Sequence, residues 1–174
     1  MSLRARILLG FVVIIGAGFY YLVDWILEDL RPRTLEAVEE SLVDTSTVLA
    51  SLLSARAGDG TIPIGDLRAG LDEASRRRFE GRIFDLVKTH VDVRVYVTDD
   101  RGIVRFDSNG GRDEGKDYSK WNDVYLTLNG RYGARATRED PDDPDASVLY
   151  VAAPLRVRER TVGVLSVGKP TRGL

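Results

Sequence analysis

"VRVYVTDDRGIVRFDS", residues 93–108, is where the hydropathy of the chain settles into a period of two. Val93, Val95 and Val97 alternate with Arg94, Tyr96 and Thr98, "DDRG" (99–102) has the composition of a tight turn, and "IVRFDS" (103–108) returns. Alternation of this kind sends successive side chains to opposite faces of a strand, so the stretch predicts a β-hairpin. Toward the C-terminus the same reading predicts strands over "RYGARATR" (131–138), "VLYVAAPLRV" (148–157) and "TVGVLSVG" (161–168). Residues 118–129 read as a short helix ended by Asn129-Gly130, while "NGGRDEG" and "EDPDDPDAS" read as loops.

Toward the N-terminus the period changes to that of helices. Leu35, Val38, Leu42, Leu49 and Leu52, with Thr45 in the one gap, alternate by three and four, and Glu36, Glu39, Glu40 and Asp44 take the other face. Pro32 stands ahead of this run, where proline suits a helix start. The seam covers the sheet or pairs two chains as a homodimer. A second helix is expected from Asp66 to about Lys88, with Arg76 to Arg78 on a solvated face. A long helix, a second helix and five antiparallel strands with a helical insertion define an α+β domain.

Ahead of the long helix, "ILLGFVVIIGAGFYYLV" (7–23) carries no charge; Arg4 and Arg6 precede it and Asp24, Glu28 and Asp29 come after. Its length suits a membrane span of roughly 17–25 residues. Tyr20, Tyr21 and Trp25 suit the headgroup belt, and the leading arginines place the N-terminus in the cytoplasm. The expected division is a cytoplasmic segment 1–6, a span 7–27 and an extracytoplasmic domain 28–174. A signal peptide cleaved after Gly16-Ala17-Gly18 is the alternative, opposed by the apolar "FYYLV" just beyond.

The 174 residues carry a net charge of −2 and no basic stripe, which argues against nucleic acid as a partner. There is no cysteine, and His90 is the sole histidine, so thiolate chemistry and paired-histidine metal sites are excluded. No Walker lysine or nucleophile elbow appears, so the residues point to no catalytic site, no cofactor and no metal centre. The acidic "REDPDDPD" (138–145) lacks the glycine of an EF-hand loop and reads as solvated rather than as a cation site.

The blocks "RILLGF", "VDTSTVLA", "VYVTDDRG", "FDS", "DYSKWNDVYLTLNGRYGARAT", "SVLYVAAP" and "GVLSVGKP" occur in order along nearly the whole chain. Together they resemble the N-terminal region of CreC-type two-component sensor histidine kinases. The resemblance implies a Cache-like, PAS-related (PDC) sensor domain, in which about five antiparallel strands pack on a long N-terminal helix behind one membrane helix. It also implies a kinase region elsewhere in the full-length protein, a cognate response regulator and a small-molecule ligand outside the inner membrane. An anchored domain that recognises a protein partner or cations, or the sensor module of a chemoreceptor or cyclase, is the alternative.

On that architecture a ligand lies between the 118–129 helix and one sheet face. Its expected contacts are Tyr96, Asp107, Tyr118, Trp121, Arg135 and Tyr150, with Arg94, Thr98 and Arg105 as neighbours. An arginine grips a carboxylate in two places and Asp107 meets an amine or orients the arginine. The plainer reading makes Tyr118 and Trp121 core and locks Arg135 to Asp107 or Asp123.

Overall fold

The computed structural model describes residues 3–57, 61–84, 86–138 and 147–171. The chain divides into two units, Met1–Val38 and Glu39–Gly173. Helix α1 (Leu3–Arg56) begins in the first and ends in the second. Leu3–Trp25 of α1 is long and apolar enough to cross a membrane, with a mean hydropathy of 2.1 and none of it buried. The helix is continuous through position 32, so Pro32 does not mark a start as its composition suggested.

The second unit is a five-stranded antiparallel sheet, ordered β4-β3-β7-β6-β5. Its strands are β3 (Arg94–Asp99), β4 (Val104–Asp107), β5 (Gly133–Arg138), β6 (Ser147–Val157) and β7 (Arg160–Pro170). The hairpins fall where the alternation placed them, and β7 is central because β3 and β6 pair with it from either side. Register fixes the faces: Val97 opposes Leu165 and Leu165 opposes Ala153, while Val95 opposes Val167 and Val167 opposes Val151. These residues, with Phe106 and Leu155, are buried and form one face. The other face carries Arg94, Tyr96, Thr98, Asp107, Arg135, Tyr150, Val164 and Ser166, again by register.

The portion of α1 within this unit lies along the Val151 face. Leu42, Ser46, Ala50 and Leu53 are its buried residues, spaced by three and four as one helical stripe, and Ala57 just beyond its end is buried too. The Arg156 backbone N–H donates to Ser54 Oγ at 3.0 Å, and the Tyr132 hydroxyl donates to Glu39. Leu42 thus belongs to the helix–sheet core at 3% exposure, not to a surface seam, whereas Val48 and Leu52 are each 57% exposed. Leu42→Glu is therefore expected to cost several kcal/mol, as a charge buried without a partner. Val48→Glu is expected to stay within about 0.5 kcal/mol of the parent. Urea titration of both variants checks the assignment, and equal midpoints would contradict it.

The expected second helix is shorter than its apolar spacing implied. Helix α2 (Ile64–Arg76) stops where Arg77 turns extended, at φ −61° and ψ 131°. Beyond that point the chain forms a separate hairpin of β1 (Gly81–Ile83) and β2 (Leu86–Lys88). Phe79, Ile83 and Val87 recur every fourth residue, a spacing that suits both periods, so position alone could not separate them. Helix α2 packs toward β4: Leu67 is buried, the Arg68 guanidinium lies 4.9 Å from the Phe106 ring centroid, and Arg68 pairs with Glu114 at 2.6 Å. Residues 138–145, read as a solvated acidic loop, lie almost wholly outside the described residues.

Candidate functional site

Helix α3 (Asn122–Leu128) covers the polar-centred face of the sheet. It is shorter than the 118–129 reading because residues 117–121 form turns instead: the Tyr118 N–H donates to Gly102 O at 2.9 Å and the Trp121 N–H to Tyr118 O at 2.9 Å. The approach of α3 is very close. A Cβ on Gly133 would lie 2.3 Å from the Asp123 carbonyl oxygen and 2.4 Å from Thr127 Oγ1, so only glycine permits this contact. A second such place is Gly168, across which the Tyr150 ring lies; a Cβ there would be 2.2 Å from Tyr150 Cε1.

All six sequence-derived candidates meet on this face, in two linked groups. The first centres on Asp123, which is fully buried in α3. The Tyr96 hydroxyl donates to Asp123 Oδ2, Ser166 Oγ donates to the same oxygen at 3.0 Å, and Arg135 Nε donates to Oδ1 at 3.0 Å. One carboxylate thus ties α3 to β3, β7 and β5. The Arg135 guanidinium is sandwiched, 3.8 Å from the Trp121 ring centroid and 4.3 Å from that of Tyr150. Trp121 stacks on Tyr118 at 4.0 Å, and Tyr118 meets Tyr96 edge-on at 5.3 Å. Buried Arg135 Nη2 has no hydrogen-bond partner among the described residues.

The second group centres on Arg94. Its Nε and Nη2 donate to the two oxygens of Asp107 at 2.9 Å each, a two-point grip, and Nη2 also reaches Asp113 Oδ2 at 2.5 Å. Nη1 donates to the Tyr150 hydroxyl at 3.1 Å, and the Tyr118 hydroxyl donates to Asp113 Oδ2 at 2.6 Å. Asp107 and Asp113 are both buried. Burial works to raise the Asp107 carboxyl, but the hydrogen bonds and charge of Arg94 and the Asn109 N–H hold it below the usual carboxylate range. Asp113 is held lower still: against burial stand Lys116, Tyr118 and Arg94. Burial first, and then Asp113, push the Tyr118 hydroxyl above its ordinary value. Burial and Asp123 do the same to Tyr96.

The six candidates therefore lie together on one face, and of the two carboxylates open to Arg135 one is its partner. Asp107 holds Arg94 rather than Arg135, and the partner of Arg135 is Asp123, the other choice left open by the plainer reading. Arg105, offered as a neighbour, is exposed and pairs with Asp99 at 2.7 Å. Two participants went unnamed. Asp113 sits in a segment read only as a loop, and no local signal marks it. Ser166 did leave a signal, as the one polar side chain within "VGVLSVG" at the parity of Tyr150's neighbours. Beside these groups a hollow of about 200 Å³ is lined by Asp92, Arg94, Ser108, Asn109, Val148 and Tyr150, among others.

A five-stranded antiparallel sheet with a long helix on one face, a short helix over a polar-centred second face and a membrane-spanning helix ahead of it is a Cache/PAS-like sensor fold. The sensor domain of the V. cholerae histidine kinase DctB shares that fold with a TM-score of 0.56, covering 91% of this chain and 57% of that one at 14% identity. Over 174 residues, 100% of this chain, the sequence is 38% identical to Sensor protein CreC of Escherichia coli K12. It spans 36% of that relative's length. No protein-family model matches. The chain is a CreC-type sensor region of the two-component histidine-kinase class: an inner-membrane helix followed by an extracytoplasmic sensor domain. No kinase domain lies among the described residues.

Proposed function

We propose that this domain binds a small extracytoplasmic ligand bearing an acceptor oxygen, such as a carboxylate, against Arg135, and that occupancy is relayed to a histidine kinase region and its response regulator. The observation that carries the reading is the buried, unpartnered Nη2 of Arg135 between two aromatic rings. A donor in that setting costs about 1–3 kcal/mol, which an acceptor would recover. Tyr96, Tyr118 and Tyr150 form a packed cluster with Trp121 against it, so a ligand reaches Nη2 by displacing Trp121, and Asp107 holds Arg94 so that Tyr150 is oriented from the far side.

Relay follows from the shared carboxylate. A ligand that draws Arg135 from Asp123 alters the bond that Ser166 Oγ donates to Asp123, and Ser166 lies in β7, the central strand that leads out of the sheet at Pro170. The ligand moves the equilibrium only by its preference for one arrangement; a tenfold preference is worth about 1.4 kcal/mol. The exposed Val48 and Leu52 of α1 offer the seam on which two copies pair as a homodimer.

Thermal-shift titration of the purified chain with small carboxylates, amino acids and sugars tests the proposal. A carboxylate is expected to raise the melting temperature of the parent and not that of Arg135→Gln, provided circular dichroism shows the variant folded. A shift of equal size in both would remove Arg135 from the site.

A further inference from the structure

The β1–β2 hairpin stands apart from the main sheet as a sheet of its own. Its described apolar side chains do not enter the core. Phe79, Ile83 and Val87 are 42%, 52% and 46% exposed, and Phe84, at the turn, is 96% exposed. Phe84 also has φ 51°, in the left-handed region that bulky residues avoid. An isolated hairpin of two short strands is marginal in water, and a strained turn that presents a phenylalanine outward weakens it further. The arrangement makes physical sense once the apex has an apolar medium to enter.

Charge identifies the medium. Between Arg76 and Lys88 the basic residues are Arg76, Arg77, Arg78, Arg82 and Lys88 against Glu80 and Asp85, in a chain whose net charge is −2. Lys88 is paired with Asp92 at 2.5 Å, so the four arginines carry the excess. An apolar tip in an arginine-rich stretch of chain suits the boundary of an anionic bilayer, where acyl chains take the tip and headgroup phosphates take the cations. Strands of this length reach about 10 Å, which matches the roughly 5–10 Å depth of interfacial insertion. The chain's own membrane-spanning helix keeps a bilayer at high effective concentration, so a weak anchor suffices. We propose that the 81–88 hairpin is a second, reversible membrane contact, in which Phe84 and Ile83 enter the lipid interface and the surrounding basic residues bind anionic headgroups.

The absence of cysteine allows a single nitroxide at Ile83→Cys in the full chain, leaving Phe84 in place, with Tyr125→Cys on exposed α3 as the reference position. In phosphatidylglycerol-containing proteoliposomes, the label at 83 is expected to collide with oxygen several-fold more than with a water-soluble nickel complex. That ratio should fall in pure phosphatidylcholine and in the double variant Ile83→Cys/Phe84→Ser, while the label at 125 stays nickel-accessible throughout. A label at 83 that is nickel-accessible in both lipids overturns the proposal. So does equal penetration of both lipids, which removes the basic residues from the contact. Spin–spin broadening in detergent and bilayer alike would assign the tip to a second copy of the chain and overturn the lipid contact.

Discussion

Arg94→Met is expected to destabilise the domain by about 3–5 kcal/mol, because it strands two buried carboxylates that share one guanidinium. Asp107 and Asp113 retain backbone N–H, Tyr118 and Lys116 donors, but lose the cation that offsets their desolvation. For a domain of this size that loss corresponds to a fall in melting temperature of roughly 10–20 °C. Calorimetry of the variant decides the matter, and a fall of under about 1 kcal/mol would show that the triad carries little. The pH dependence provides a second readout. Both carboxyls lie below their unfolded values in the parent, so their contribution is present above a pH of about 4 and is lost as pH falls through the folded values. Arg94→Met lets both drift upward, so its stability should fall less steeply on acidification. At the alkaline end the sign reverses. Tyr118 and Tyr96 are raised, so their contribution is present below about pH 10 and disappears above it.

Asp123→Ala is expected to be comparably severe, at about 3–5 kcal/mol, since Arg135, Tyr96 and Ser166 all lose their acceptor at once. Its consequence is also positional: nothing else among the described hydrogen bonds joins the side chains of α3 to three strands. A double-mutant cycle separates charge from packing. If the penalty comes from an uncompensated guanidinium, adding Arg135→Met to Asp123→Ala should recover about 1–3 kcal/mol. Additive losses would instead assign the penalty to the tyrosine and serine bonds. Loss of α3 protection in hydrogen exchange, with β3 and β7 still protected, would show that the carboxylate is what holds the helix down.

The parts of the fold that were legible in the sequence are those governed by period. The β3–β4 hairpin and the two long strands β6 and β7 follow from alternation, because a strand offers its side chains only two directions. Which of the two directions faces α3 is set by register between strands, which a one-residue slip would invert. Helix limits were less legible. Ile83 and Phe84 suit a helical stripe as well as a hairpin tip, and only their lack of a burial surface distinguishes the two. Likewise Leu42 and Leu52 both belong to the predicted seam, yet one meets the sheet and the other is exposed, a difference set by how α1 rotates on β6 rather than by either residue. Within the candidate site, residue types announced a polar centre but not its wiring. Arg135 had two carboxylates in prospect, and the choice of Asp123 depends on α3 lying against β5, a long-range fact with no local trace. Asp113 was illegible for the same reason, being delivered by a loop of glycine-rich turns.

The glycine at position 133 has a mechanical corollary. With the α3 backbone already at van der Waals limit over β5, the helix has no inward travel left. Any displacement of α3 is therefore outward or sideways, never deeper onto the sheet.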